Sequence, residues 1–151
     1  MGENILDKAK AAAQSLTEKV TNFSEIFGDS DKAEIVNLFK GISGYKLQEM
    51  FVNIDKFKTL FYEDGYDIGG ISVSLGLPPD ISITFKFLGS VDENKRKEIT
   101  AKVLENKIAS IILSSLFRAS DFAENIRVGE MKLKSINIKL GLIPSISVSL
   151  S

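Results

Sequence analysis

Two stretches decide the fold: ISVSLGLPPDIS, Ile71 to Ser82, and INIKLGLIPSIS, Ile136 to Ser147. Sliding the chain against itself by 65 residues superimposes Ile71, Leu75, Gly76, Leu77, Pro79, Ile81 and Ser82 on Ile136, Leu140, Gly141, Leu142, Pro144, Ile146 and Ser147, all identical. Within each stretch apolar and polar residues alternate, the period of a strand with one buried and one wet face. The alternation runs on through Ile83, Phe85 and Phe87 in the first and through Val148 and Leu150 in the second. Alternation alone would not put Gly and Pro in register. An irregularity repeats as well. Ile68 precedes its strand across Gly69-Gly70 with the wrong parity, as Leu133 does across Lys134-Ser135, which predicts a β-bulge at each place.

Parity also constrains the connection. Strands paired across a loop must present their apolar residues on one face, so the loop must be odd, of three or five residues. A three-residue loop, Pro78 to Asp80, would pair Leu77 with Ile81, Leu75 with Ile83 and Val73 with Phe85. The commonest such loop needs a helical conformation at its first position, which a following proline disfavours. The competing arrangement is one long strand kinked at Pro79; at about 3.3 Å per residue it would approach 55 Å, too long for a domain of this mass. Two hairpins are the expectation.

Helical spacing fills the remainder. From Glu3 to Phe27 the residues Ile5, Ala9, Ala12, Leu16, Val20, Phe23 and Phe27 recur every three or four positions, predicting an N-terminal amphipathic helix that stops at Gly28. Asp31 and Glu34 have the spacing of a capping box for a second helix over Lys32 to Lys40. Leu47, Met50, Phe51, Ile54, Phe57 and Phe61 make a third stripe that ends before the turn-like Asp64-Gly65. Ser90 and Glu93 suggest another capping box, opening one long core helix that runs to Phe122 with a bend near Ser120. The fold expected is α+β: duplicated helix-plus-β-hairpin units (31–88 and 90–151) forming a four-stranded antiparallel sheet with pseudo-twofold symmetry, covered by helices, with the extra amphipathic helix at 1–28. All of it belongs to one domain, 1–151.

Composition narrows the chemistry. The chain has 19 Lys and Arg against 20 Asp and Glu, which removes the long-range attraction for phosphate, so no nucleic acid is expected as a partner. It contains no Cys and no His, excluding disulfides, thiolate metal sites, a cysteine nucleophile and the commonest general base. No cofactor, metal or catalytic residue is expected. The start of the chain is acidic and amphipathic rather than basic and apolar, and lacks the pattern for myristoylation, so a cytoplasmic location is expected. The most apolar run, Ile108 to Phe117, is about half a membrane span, so no transmembrane segment is expected.

Several polar clusters invite sharper readings. Asp29 and Asp31 resemble a fragment of a calcium loop, but the other ligands do not follow at the required spacing, and helix capping accounts for them. Glu63, Asp64 and Asp67 flank Gly65 beside two tyrosines; a solvated turn accounts for them better than a pair of catalytic carboxylates. Lys95, Arg96 and Lys97 sit among Asp92, Glu93 and Glu98 and read as an exposed, mixed-charge first turn.

The polar faces of the strands carry Ser72, Ser74, Ser82, Thr84, Asn137, Ser147, Ser149 and Ser151. Set against a plain solvent face and a membrane-inserting hairpin, the reading that gives these residues a role is a weakly charged sheet edge that adds strands from a partner or from a second copy. The function expected is therefore a non-catalytic protein-interaction or scaffold module that self-associates as a homo-oligomer. The alternative is a carrier of an apolar or lipid-like ligand held between sheet and helices by Phe51, Phe57, Phe61, Phe85 and Phe87.

Overall fold

A computed structural model describes residues 27–126 and 129–151. Five helices and four strands follow in order: α1 (Asp29–Phe39), α2 (Gly44–Lys56), α3 (Lys58–Glu63), β1 (Tyr66–Ser74), β2 (Asp80–Phe87), α4 (Glu93–Val103), α5 (Lys107–Asn125), β3 (Leu133–Leu140) and β4 (Ser145–Leu150). The four strands form one antiparallel sheet in the order β1-β2-β3-β4. The α+β expectation holds at that level. The expected N-terminal helix lies outside the described residues, except for Phe27, which is buried.

Both hairpins use a five-residue loop. Ser74 pairs with Asp80 and Lys139 with Ser145, so Ile81 meets Val73 where a three-residue loop would set it opposite Leu77. The physical reason lies in the shared prolines Pro79 and Pro144: neither can donate to a ladder, and each disfavours, in the residue before it, the helical conformation a three-residue loop requires. This displacement of four residues along β1 preserves parity, so the aliphatic face is unchanged. Adding 65 to both members of each pair in the first hairpin reproduces the second: Val73↔Ile81 becomes Ile138↔Ile146, and Ile71↔Ile83 becomes Ile136↔Val148. The irregularities coincide too, between Ile68 and Gly70 and between Leu133 and Ser135.

The relation between the hairpins is not the expected twofold. In an all-antiparallel sheet of this order β1 and β3 run the same way, and both turn their aliphatic residues to the same side. A twofold normal to the sheet would reverse the direction; one lying in the sheet would exchange the faces. The operation that carries β1–β2 onto β3–β4 is therefore a step of two strands across the sheet, about 10 Å, combined with the sheet's twist. It includes a slide of two residues along the strands, since Ile138, the counterpart of Val73, lies level with Ile71.

Helices cover the aliphatic face. Ile81, Ile83, Phe85, Ile136, Ile138, Leu140 and Ile146 are all fully buried, packed with Ile35, Phe39 and Ile54 of α1 and α2 and with Ile112 and Leu116 of α5. α5 packs on β3 and β4, α3 on β1, and α2 on α5.

Helix boundaries depart from the periodicity in three places. α1 begins at Asp29 with Gly28 as its N-cap, which puts Asp31 inside the helix, where it faces Arg118 at 4.0 Å instead of capping. The third stripe breaks at Phe57 into α2 and α3. The long core helix is two helices, because Asn106 caps a new start by accepting from the Ala109 amide at 2.9 Å. Before α4 the cap is Asp92, accepting from the Lys95 amide at 2.8 Å, while the Ser90 hydroxyl reaches Glu124 Oε1 at 2.6 Å.

Candidate interaction surface

The polar face of the sheet is built by the residues that alternate with the core. Ser72, Ser74 and Ser149 are exposed on the edge strands, and Ser82, Thr84, Asn137 and Ser147 are half-buried nearer the centre. At the β2–β3 junction these side chains form a network. The Asn137 amide nitrogen donates to Thr84 Oγ1 at 2.9 Å, directly across the ladder, and to Ser82 Oγ at 3.1 Å on the diagonal. All the Ser/Thr/Asn residues singled out from the sequence thus lie on one face, and three of them are joined to one another.

Charge is distributed unusually along the strands. Exposed edges usually carry charged residues, because a row of unpaired amides and carbonyls is a template for another chain. Here the two central strands carry the charges, Asp80 and Lys86 on β2 and Lys134 and Lys139 on β3. β4 carries none, and β1 carries none after Asp67. The edge of β1 is also greasy at its far end: Val73 is 37% exposed, Leu75 80% and Leu77 fully. Whereas β3 has α5 above it and a strand on either side, β1 has α3 above it and, among the described residues, one neighbouring strand, β2.

The five phenylalanines proposed to line an apolar pocket are dispersed. Phe61 and Phe85 are fully buried and meet edge to face, ring centroids 5.6 Å apart. Phe57 is half-buried against the core, and Phe51 is 37% exposed. Phe87 lines an open groove of about 1010 Å³ at one end of the sheet, together with Leu88, Ile126, Met131 and Leu133.

Two sites differ from their sequence reading. Asp64 is not solvated: it is 1% exposed, and neither carboxylate oxygen has a hydrogen-bond partner. Burial pushes its pKa up to about 6, against the opposing pull of Arg96 and Lys95. The position is forced by the neighbouring turn. Gly65 has φ +96°, donates its amide to Tyr62 O and accepts from the Leu88 amide at 2.8 Å; a Cβ there would collide with the Gly89 carbonyl. Arg96 is not part of a loose charged turn either. It makes paired hydrogen bonds to Asp121 at 2.9 and 3.1 Å and lies over the Phe117 ring at 4.4 Å. Beside it Tyr66 is buried, its hydroxyl 2.7 Å from Ser120 Oγ, and burial pushes its pKa up to about 12. The linear pattern could not reveal the settings of Arg96 and Tyr66, because their partners Asp121 and Ser120 lie 25 and 54 residues away.

Among the described residues no group of three His, Cys, Asp or Glu is placed to hold a metal, and no helix is long and apolar enough to cross a membrane. No protein-family model, curated protein or solved structure matches the chain.

Proposed function

We propose that this chain is a non-catalytic protein-interaction module that self-associates through the edges of its sheet. Supporting this reading is the charge pattern: β4 and the part of β1 beyond Asp67 carry no charge, and exposed Val73 is followed just past the strand by exposed Leu75. Unblocked edges of this kind pair with strands from another chain. A net charge of −1 offers little repulsion between copies. The two helix-plus-hairpin units are read as copies of one ancestral unit, which supplies a sheet that repeats rather than closes. Light scattering across a concentration series tests the reading: average mass is expected to rise with concentration, and a constant monomer mass rejects it.

A second reading, carriage of an amphipathic, lipid-like ligand, draws on the groove in which Phe87, Leu88, Ile126, Met131 and Leu133 are interspersed with Glu124, Glu130 and Lys132. Native mass spectrometry of the purified protein should then show a co-purified lipid-sized mass; the bare chain mass alone would remove it.

A further inference from the structure

We infer that the partner is a second copy bound head to tail, with β4 of one molecule pairing with β1 of the next in the register that β2 and β3 already use. The inference rests on the self-association reading and adds to it a geometry. Because the step from the first hairpin to the second is a shift across the sheet, β1 is the counterpart of β3, and β4 the counterpart of β2. The edge of β1 left unpaired among the described residues therefore corresponds to the edge of β3 that β2 occupies. The free edge of β4 corresponds to the edge of β2 that β3 occupies. Each molecule carries both halves of a junction that it has already made once inside itself.

The internal junction supplies the register. Ile81 pairs with Leu140, Ile83 with Ile138, Phe85 with Ile136, and between them Ser82 with Lys139 and Thr84 with Asn137. Carried over by 65 residues, Ile146 falls opposite Leu75, Val148 opposite Val73 and Leu150 opposite Ile71; Ser147 meets Ser74 and Ser149 meets Ser72. Aliphatic residues meet aliphatic, serine meets serine, and no charge falls in the ladder. The ladder would end at Gly70, where the β1 bulge begins. Pairing would also extend β1 by one residue, to Leu75, whose counterpart Leu140 is already in its strand because Ile81 pairs with it.

Side-chain polarity fits the same scheme. At the internal junction Asn137 bridges Thr84 and Ser82. Its counterpart is Ser72, which the scheme sets opposite Ser149 and diagonal to Ser147 of the neighbouring copy. Such a junction is heterologous: it repeats without closing, advancing about 19 Å for each four-stranded copy, and so generates chains of molecules.

Cysteine pairs test the geometry cleanly, since the chain has no cysteine of its own. Ser72 is level with Ser145, not Ser149, so Ser72 and Ser149 lie three strand spacings across the sheet and four residues along it, about 19 Å apart in one molecule and too far for an internal disulfide. Both are exposed, so replacing them leaves the core intact. Mild oxidation of the full chain carrying Ser72→Cys and Ser149→Cys should give a reducible ladder of dimers, trimers and longer species. The control pair Ser82→Cys with Ser149→Cys should not. Ser72→Asn, which imports the bridging amide, is expected to tighten association about fivefold in sedimentation, while Val73→Lys should abolish the ladder. Association that persists without the Ser72–Ser149 cross-link overturns the head-to-tail register and leaves the self-association reading standing. A chain that stays monomeric overturns both, and places another occupant on β1, its own N-terminal segment included.

Discussion

The two hairpins share a register, a loop length and a bulge, yet they differ sharply in what surrounds them. Leu140 is fully buried, whereas its counterpart Leu75 is 80% exposed; Ile138 is fully buried, whereas Val73 is 37% exposed. Backbone pairing within the hairpin cannot account for this, since it is the same in both. The difference lies in neighbours: β3 has strands on both sides and α5 above it, while β1 stands at an edge with the six-residue α3 packed on it. Edge position alone is not enough, since Ile146 and Val148 of the other edge strand are buried where α5 packs on β4. Strand alternation therefore specifies which face is apolar, and the number of adjacent elements determines how much of that face leaves water.

The largest expected effect measures that difference directly. Ile138→Ala should cost about 3 kcal/mol in chemical denaturation of the dilute protein, because it opens a cavity in a closed core. Val73→Ala, at the matching position of β1, should cost less than about 1 kcal/mol, because much of the removed surface is already wet. Equal losses at the two positions would show that β1 is as well covered as β3.

Next come the turns that lead into the hairpins. Gly65 and Gly129 both have positive φ, but a Cβ at Gly65 would clash with the Gly89 carbonyl while one at Gly129 would meet nothing within 4 Å. Gly129→Ala is expected to cost about 1 kcal/mol from backbone strain alone. For Gly65→Ala the carbonyl must move as well, and roughly 2–3 kcal/mol is expected. Thermal melts of the two variants side by side give the comparison; similar losses would mean the Gly65–Gly89 approach is looser than described.

The remaining effect concerns Asp64, a carboxylate whose matching position in the second hairpin's approach, 129, is glycine. Folding raises its pKa from 3.8 to about 6, so between those values the folded chain holds a proton that the unfolded chain has released. Its contribution to stability is therefore most favourable below about pH 4 and declines as pH rises to 6. Asp64→Asn should flatten that decline and stabilise the protein at pH 7 by about 2 kcal/mol. If urea midpoints of the parent and the variant run parallel between pH 4 and 7, the carboxylate is not desolvated as described.

Much of the sheet was legible in the chain because its signals are local. Ile71, Val73, Ile81 and Ile83 alternate, Gly76 and Pro79 punctuate, and Gly69-Gly70 marks the bulge; each is read within a few residues of itself. What escaped depended on distant partners or on competition between local signals. Asn106 ended a helix that the apolar spacing would have carried through. Asp64 and Arg96 looked solvated until the strand ends and α5 closed over them. The candidate surface was legible as a polar face, through Ser72, Ser82, Asn137 and Ser149, but which strands lay at the edges was not. Edge position follows from strand order, and strand order leaves no periodic trace in sequence.

Amide hydrogen exchange across a concentration series addresses the equivalence of β1 and β3 most directly. In dilute solution the amides of Ile136 to Leu140 should exchange slowly and those of Ile71 to Leu75 faster. On concentration, protection should rise together at residues 70–75 and 146–151 and leave β3 unchanged. Protection of β1 that already equals that of β3 in dilute solution, or that does not respond to concentration, would contradict the account.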